Sequence, residues 1–194
     1  MRKVILIFIP LLFLTGCGKE ISNEVISPPS TPLGSSPSVS QAPTVKKVTE
    51  ADLISSVSAT IKTEKGSFTA VFHPQIAPKT VANFLEKFES GYFKNLTFHR
   101  VEDWVVQGGD PKGNGTGGGN ITTELNDLPF GQWSVGVARG QDIRVSNDSQ
   151  FFVCKTNCSF LTGQYTNLGK VTSGIEVVQA LEVGDKILDT VVSN

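Results

Sequence analysis

Apolar and polar positions alternate over Ala59-Thr60-Ile61-Lys62-Thr63 and again over Ser67-Phe68-Thr69-Ala70-Val71-Phe72. Glu64-Lys65-Gly66 separates the two runs, so the stretch predicts a β-hairpin. The period then lengthens. Val81, Phe84, Leu85 and Phe88 share one helical face, Pro78 suits a first turn, and Gly91 stops the run. Short strands are expected at Leu96–Val101, Trp104–Gly108, Trp133–Ala138 and Gln150–Cys154. A second helix is expected from about Ser173, with Glu176 completing a capping box. Ile175, Val178, Leu181 and Val177 would form its buried face. Lys186–Val192 reads as the closing strand. Periodicity alone therefore predicts a β-rich domain with two separated helices. Glu50–Ser58 reads either as a short helix or as the first segment to touch the domain.

The N-terminal stretch follows neither period. Arg2 and Lys3 precede an apolar run from Val4 to Leu14. That run falls short of the roughly 20 residues that span a bilayer, and it has the layout of a secretion signal. It ends in Leu14-Thr15-Gly16-Cys17. This resembles the bacterial lipobox, in which the chain is cut before the cysteine and the sulfur is acylated. The expectation is a lipoprotein signal over residues 1–16 and an acylated Cys17. Buried acyl chains contribute ~0.8 kcal/mol per CH₂ and anchor without spanning. Ser and Pro dominate Gly18–Thr49, where Pro28, Pro29, Pro32, Pro37 and Pro43 exclude a helix or central strand. Residues 17–49 are thus expected to be a disordered tether with a reach of about 30 Å. The folded domain would occupy 50–194. The expected location is the cell envelope, lipid-anchored to a bacterial membrane, with the domain outside the cytoplasm.

Composition narrows the chemistry. Seventeen Lys and Arg against 18 Asp and Glu give a formal charge of −1, so no nucleic-acid surface is expected. Neither His73 nor His99 lies in metal-ligand spacing with Cys or carboxylates, and no Gly-x-Ser-x-Gly elbow occurs. Gly113-Asn114-Gly115-Thr116-Gly117-Gly118-Gly119 lacks the Lys-Ser/Thr ending of a phosphate loop and reads as a flexible surface loop bordering a groove. No metal and no cofactor is expected. With Cys17 acylated, Cys154 and Cys158 remain, either as a disulfide across a tight turn or as two free thiols.

Three separated blocks then carry a resemblance. They are Phe98-His99-Arg100-Val101 with Trp104-Val105-Val106-Gln107-Gly108-Gly109-Asp110-Pro111, then Val137-Ala138-Arg139, then Ser149-Gln150-Phe151-Phe152. In order and near-spacing they resemble the cyclophilins, the β-barrel peptidyl-prolyl cis-trans isomerases, over roughly Ala59 to the C-terminus. The resemblance implies a mostly β fold: a closed antiparallel eight-stranded barrel capped by two α-helices. It implies rotation of X-Pro bonds in Pro-containing polypeptides by a monomer, with Arg100 as the catalytic residue. Trp104, Val105, Phe152, Phe160, Leu161, Tyr165 and Leu168 match the proline pocket and its surroundings. Gln107 matches the residue that orients the arginine. Ala138, Arg139 and Gln150 match the segment meeting the substrate backbone, and His99 a supporting histidine.

Prolyl isomerisation needs none of the groups the chain lacks. The barrier is rotation about a partial double bond, about 18–20 kcal/mol for an amide. A donor aimed at the twisting imide stabilises the twisted state above either planar one. The chain also departs from the resemblance. The segment from Arg100 to Gln107 is one residue short, with Glu102-Asp103 where many members have Ile-Pro-Gly, which is expected to shift Trp104 along the groove. Phe160 stands where cyclosporin-sensitive members have Trp, and Tyr165 where many have His. The alternative is a catalytically weak module that grips Pro segments as a chaperone on its lipid tether.

Overall fold

The computed structural model describes residues 42–193. Cys17, the signal and most of the expected tether lie outside the described residues. The domain begins earlier than residue 50. Lys46 bridges in parallel to Asn126, with its N–H donating to the Leu125 carbonyl at 2.8 Å and its carbonyl accepting from Asp127 N–H at 3.0 Å. Within the segment expected as tether, this stretch of backbone is paired, so its polar groups are satisfied by the domain. A short helix follows, α1 (Glu50–Ile54). Asp52 closes its capping box by accepting from Thr49 N–H at 2.9 Å and receives Lys46 Nζ at 2.8 Å. Lys46 and Thr49 together hold the Asp52 carboxyl down at about 2.

The hairpin forms as the alternation predicts. β1 (Val57–Thr63) and β2 (Gly66–Phe72) pair from Val57 opposite Phe72 to Thr63 opposite Gly66. α2 (Pro78–Glu89) has Pro78 in its first turn and buries Val81, Phe84 and Phe88. Its Ala77 cap has no side-chain acceptor, so Glu124 supplies one from a distant loop, accepting from Thr80 N–H at 2.8 Å. Then come β3 (Thr97–Val101), β4 (Val105–Asp110), β5 (Asn120–Thr122), β6 (Ser134–Arg139), β7 (Val145–Cys154), β8 (Asn167–Ser173), α3 (Ile175–Ala180) and β9 (Ile187–Ser193).

The strands form one curled, antiparallel, nine-stranded sheet in the order β3-β4-β7-β6-β8-β2-β1-β9, with β5 beside β7. The closed eight-stranded barrel implied by the resemblance is corrected here to an open, half-barrel sheet. Its end strands meet only through the isolated bridge of Thr97 to Lys186 and flanking bonds such as Phe98 N–H to the Asp185 carbonyl at 3.0 Å. β3 (five residues) and β9 (seven) meet near their starts, and sheet twist carries them apart before a ladder can form. The expected capping box at Ser173 is also absent. Gly174 is the α3 cap, with φ +73, and a Cβ there would meet the Ser67 carbonyl oxygen at 2.3 Å. Glycine is needed where β2 passes so close.

Two apolar clusters occupy opposite faces of the sheet. Phe151 and Val153 of β7 point inward with Phe68, Phe72, Val135, Leu168 and the faces of α2 and α3. Phe152 and Cys154 point outward with Val105, Phe130, Cys158 and Leu161. Period-two alternation thus makes one strand serve a structural core on one side and a surface groove on the other.

Candidate active site

The site starts at a register shift. β3 and β4 pair Phe98 with Gly108 but Arg100 with Gln107, leaving His99 as an extra residue. The bulge puts Arg100 and Gln107 directly opposite, where cross-strand side chains meet. Gln107 in turn lies opposite Phe152, and Phe152 opposite Gly136. One row across the sheet therefore carries a cation, an amide, an aromatic ring and a glycine whose side-chain space the rings fill.

A groove of about 430 Å³ lies over this row. Its apolar lining comes from Val105, Phe152, Leu161, Trp104 and Tyr165. Phe152 stacks on Phe130 with centroids 5.7 Å apart and meets Tyr165 edge-on at 5.8 Å. Ala138 and Arg139 form another side, with the Arg139 guanidinium 4.4 Å from the Tyr165 ring centroid. His99, Asn114 and Gly115 line the side towards the glycine-rich loop. A second hollow of about 340 Å³ shares Gln107, Gly115, Ala138 and Arg139 with the first.

Most of the expected site residues therefore converge, and four placements differ in detail. Leu168 faces the inner core and is buried there, because its alternation sets it opposite to the groove. Phe160 is 66 % exposed and stands outside the lining, 5.7 Å from the Trp104 ring. Gln150 is buried below the groove, where it accepts from Gln107 Nε2 at 2.9 Å and lines the second hollow. Gln107 reaches Arg100 only at 3.5 Å. Trp104, despite the short turn, still lines the groove.

The glycine-rich loop is pinned, contrary to the flexible reading. Asp110, 1 % exposed, accepts from the N–H groups of Lys112 at 2.9 Å, Asn114 at 2.8 Å and Gly115 at 2.5 Å. Burial alone would raise the Asp110 pKa; these three donors outweigh it and hold the carboxyl below its usual range. Gln150 Nε2 clamps the other side, donating to the Gly117 carbonyl at 2.8 Å. Asn114 and Gly115 were legible only as bordering a groove, since nothing in a Gly/Asn run says which residue faces in.

His99 is held by burial. Both ring nitrogens are enclosed without a hydrogen-bond partner, and burial pushes its pKa down, with Arg100 adding to the shift and Asp110 opposing it. His73 is shifted down by burial as well. A depressed pKa means the unfolded chain takes up protons first as pH falls. These histidines therefore cost no stability above about pH 6.5, the ordinary histidine value. Stability is lost as pH drops from there through the folded values. The expected result is a Tm that falls as the pH drops below about 6.5, with a flatter profile in His99→Gln. An unchanged slope in that variant would remove His99 from this linkage.

Cys154 and Cys158 are both buried free thiols in this structure. The Cys158 backbone is fixed on both sides: its N–H donates to the Phe130 carbonyl at 2.9 Å, and its carbonyl accepts from Leu161 at 2.8 Å. Its sulfur faces the carbonyls of Thr156 at 3.6 Å and Trp104 at 3.9 Å. Burial, and then the neighbouring Cys158, push the Cys154 thiol far up, leaving it protonated and unreactive. Both thiols should resist maleimide in the folded domain and label rapidly in denaturant, with no mass change on reduction. Rapid labelling of the native protein would contradict the burial.

Among the described residues no cluster of His, Cys, Asp or Glu is placed to hold a metal ion. The groove offers an apolar slot, a cation beside it and amides for a peptide backbone. Sheet and groove together form a site suited to an extended polypeptide. The family model described as cyclophilin type peptidyl-prolyl cis-trans isomerase/CLD matches residues 58–193. A peptidyl-prolyl cis-trans isomerase of Synechococcus elongatus is 38% identical over 135 residues, spanning 67% of this chain and 92% of that protein. One from Helicobacter pylori is 35% identical over 153 residues, spanning 76% and 94%. The crystal structure of a Cryptosporidium parvum cyclophilin-type isomerase is similar at a TM-score of 0.67 and 28% identity, covering 72% of this chain and 99% of that one. The same enzyme has been solved in the presence of the dipeptide Ala-Pro, at a TM-score of 0.65. This chain belongs to the cyclophilin family and is a peptidyl-prolyl cis-trans isomerase.

Proposed function

We propose that this isomerase rotates X-Pro bonds in unfolded or partly folded proteins of the cell envelope, with Arg100 stabilising the twisted imide non-covalently. The observation that carries this reading is the bulge at His99, which sets Arg100 beside Gln107 and next to the apolar floor of Phe152. The proline ring enters the slot over Phe152 and Leu161. Gln107, Ala138 and Arg139 hold the flanking backbone. As the C–N bond twists, its lone pair localises on the prolyl nitrogen. The guanidinium donates to that nitrogen or to the shifting carbonyl, and this contact is stronger in the twisted state than in either planar state. The small Ala-Pro unit present with the Cryptosporidium parvum relative makes an Ala-Pro peptide the first substrate to try.

The envelope assignment rests on the apolar run ending in Leu14-Thr15-Gly16-Cys17. The lipid on Cys17 holds the domain at a membrane without a spanning helix. Two measurements test the reading. Catalysed refolding of a proline-limited secreted protein supports the enzyme, whereas binding without acceleration supports the chaperone alternative. Fatty-acid labelling lost in Cys17→Ala supports the anchor, and equal labelling overturns it.

A further inference from the structure

The arginine is held from a side the resemblance does not supply. Gln107 lies 3.5 Å from Arg100 Nη1 and donates its own amide to Gln150. Glu102 makes the short contacts. It accepts from Arg100 Nε at 2.7 Å, from Arg100 Nη2 at 3.1 Å and from Trp104 Nε1 at 2.7 Å. The guanidinium carbon also lies 5.1 Å from the Trp104 ring centroid. One carboxylate therefore ties together the cation and the aromatic wall beside it.

The short turn explains this arrangement. Glu102 N–H donates to the Val105 carbonyl at 2.8 Å, closing the hairpin with only Asp103 and Trp104 at its tip. Residues i and i+2 of a strand share a face, so Glu102 falls on the groove side with Arg100. Trp104 is fixed from behind as well, its carbonyl accepting from Lys155 N–H at 2.8 Å.

We infer that Glu102 is the principal positioning residue for Arg100, a role that rests on Arg100 being the catalytic donor. The forked contact occupies Nε and one edge of Nη2 and leaves Nη1 directed towards Gln107 and the groove. A long side chain that is 41 % exposed would otherwise sample several rotamers, and the fork removes that freedom before substrate arrives. Glu102 acts through the arginine and touches no reacting atom. Its removal therefore lowers kcat and leaves KM nearly unchanged, because the slot over Phe152 and Leu161 is untouched.

A double-mutant cycle on the intact chain tests this, using an Ala-Pro peptide and the variants Glu102→Gln, Arg100→Ala and both together. Glutamine cannot accept from Arg100 and Trp104 with both ends of its amide. The expected result for Glu102→Gln is a kcat lower by about tenfold, inside the 10²-fold range that misplacement costs, with wild-type Tm and KM. In the Arg100→Ala background the second change should have no effect on the rate. The Trp104 indole N–H, one of two indole signals in the chain, should exchange faster with solvent in Glu102→Gln. A wild-type or higher kcat, a change confined to KM, or an equal loss in both backgrounds would overturn the inference. If Arg100→Ala itself keeps full activity, the catalytic reading fails instead.

Discussion

Arg100→Ala is expected to lower kcat/KM on a Pro peptide by on the order of 10²–10³, the usual cost of removing one preorganised donor. Nothing else in the groove replaces it. Arg139 lines the groove but its donors are already engaged, Nε with the Gln164 carbonyl at 2.9 Å and Nη1 with the Gly140 carbonyl at 2.9 Å. The two buried ring nitrogens of His99 have no acceptor to align them, and burial keeps the ring neutral. The fold should not notice the change. The arginine side chain is 41 % exposed and its Glu102 partner 45 %, so the lost ion pair is a surface one that contributes little to stability. No cavity opens, because the side chain lies over the sheet and not within either apolar cluster. Arg100→Lys should restore little, since an ammonium cannot reproduce the planar fork that Glu102 grips. Peptide affinity should fall less than the rate. Thermal melts beside steady-state rates read both halves of this expectation, and an Ala variant with near wild-type activity would remove Arg100 from the chemistry.

Gly136→Ala should damage the site from beneath. A Cβ at this position would lie 2.4 Å from Phe152 Cζ and 2.6 Å from Phe130 Cε1. Both rings are packed, Phe130 fully buried and Phe152 nearly so, and they stack on each other. Tyr165 blocks another side of Phe152. The ring can yield only upward, into the volume that receives proline. Overpacking of this kind costs about 1–3 kcal/mol of stability, and the displaced ring narrows the slot. The expected signature is a lower Tm together with a raised KM, the reverse of the pattern expected for Glu102→Gln. A variant with wild-type Tm and KM would show that the two phenylalanines have room the structure does not give them.

What the sequence made legible follows from which residues alternate. β1, β2 and β6 carry apolar residues on the inner face and were readable from Ile61, Phe68 and Val135. The first half of β7 was not, because Ser146 bonds to Thr123, and Asn147 holds the Gly117 carbonyl and accepts from the Ser149 N–H. Those polar residues look like a turn. β8 was hidden in the same way, with the buried Asn167 donating to the Leu128 and Pro129 carbonyls at 3.2 Å. α2 announced itself through Pro78 and its phenylalanines, whereas the start of α3 depends on the backbone of β2 passing Gly174. That contact is long-range and leaves no local trace.

The site divides similarly. Arg100, Gln107 and Phe152 could be picked out by resemblance, and the bulge at His99 is what makes them neighbours. Leu168 was misassigned because one residue of register decides which face a side chain joins. Glu102 could be seen as a departure in the turn, but its grip on Arg100 and Trp104 depends on the hairpin closing at Val105. Cys154 and Cys158 could be read as a bridge or as two thiols, and their burial side by side as free thiols depends on packing the sequence does not show.

The most direct test of the central claim is exchange spectroscopy of an Ala-Pro peptide with the isotope-labelled protein. One sample reports cis-trans exchange of the peptide and the residues it perturbs. The expected result is accelerated exchange, with shift changes centred on Arg100, Gln107, Phe152 and Leu161. Exchange at the uncatalysed rate, or accelerated exchange with those four residues unperturbed, would contradict the account.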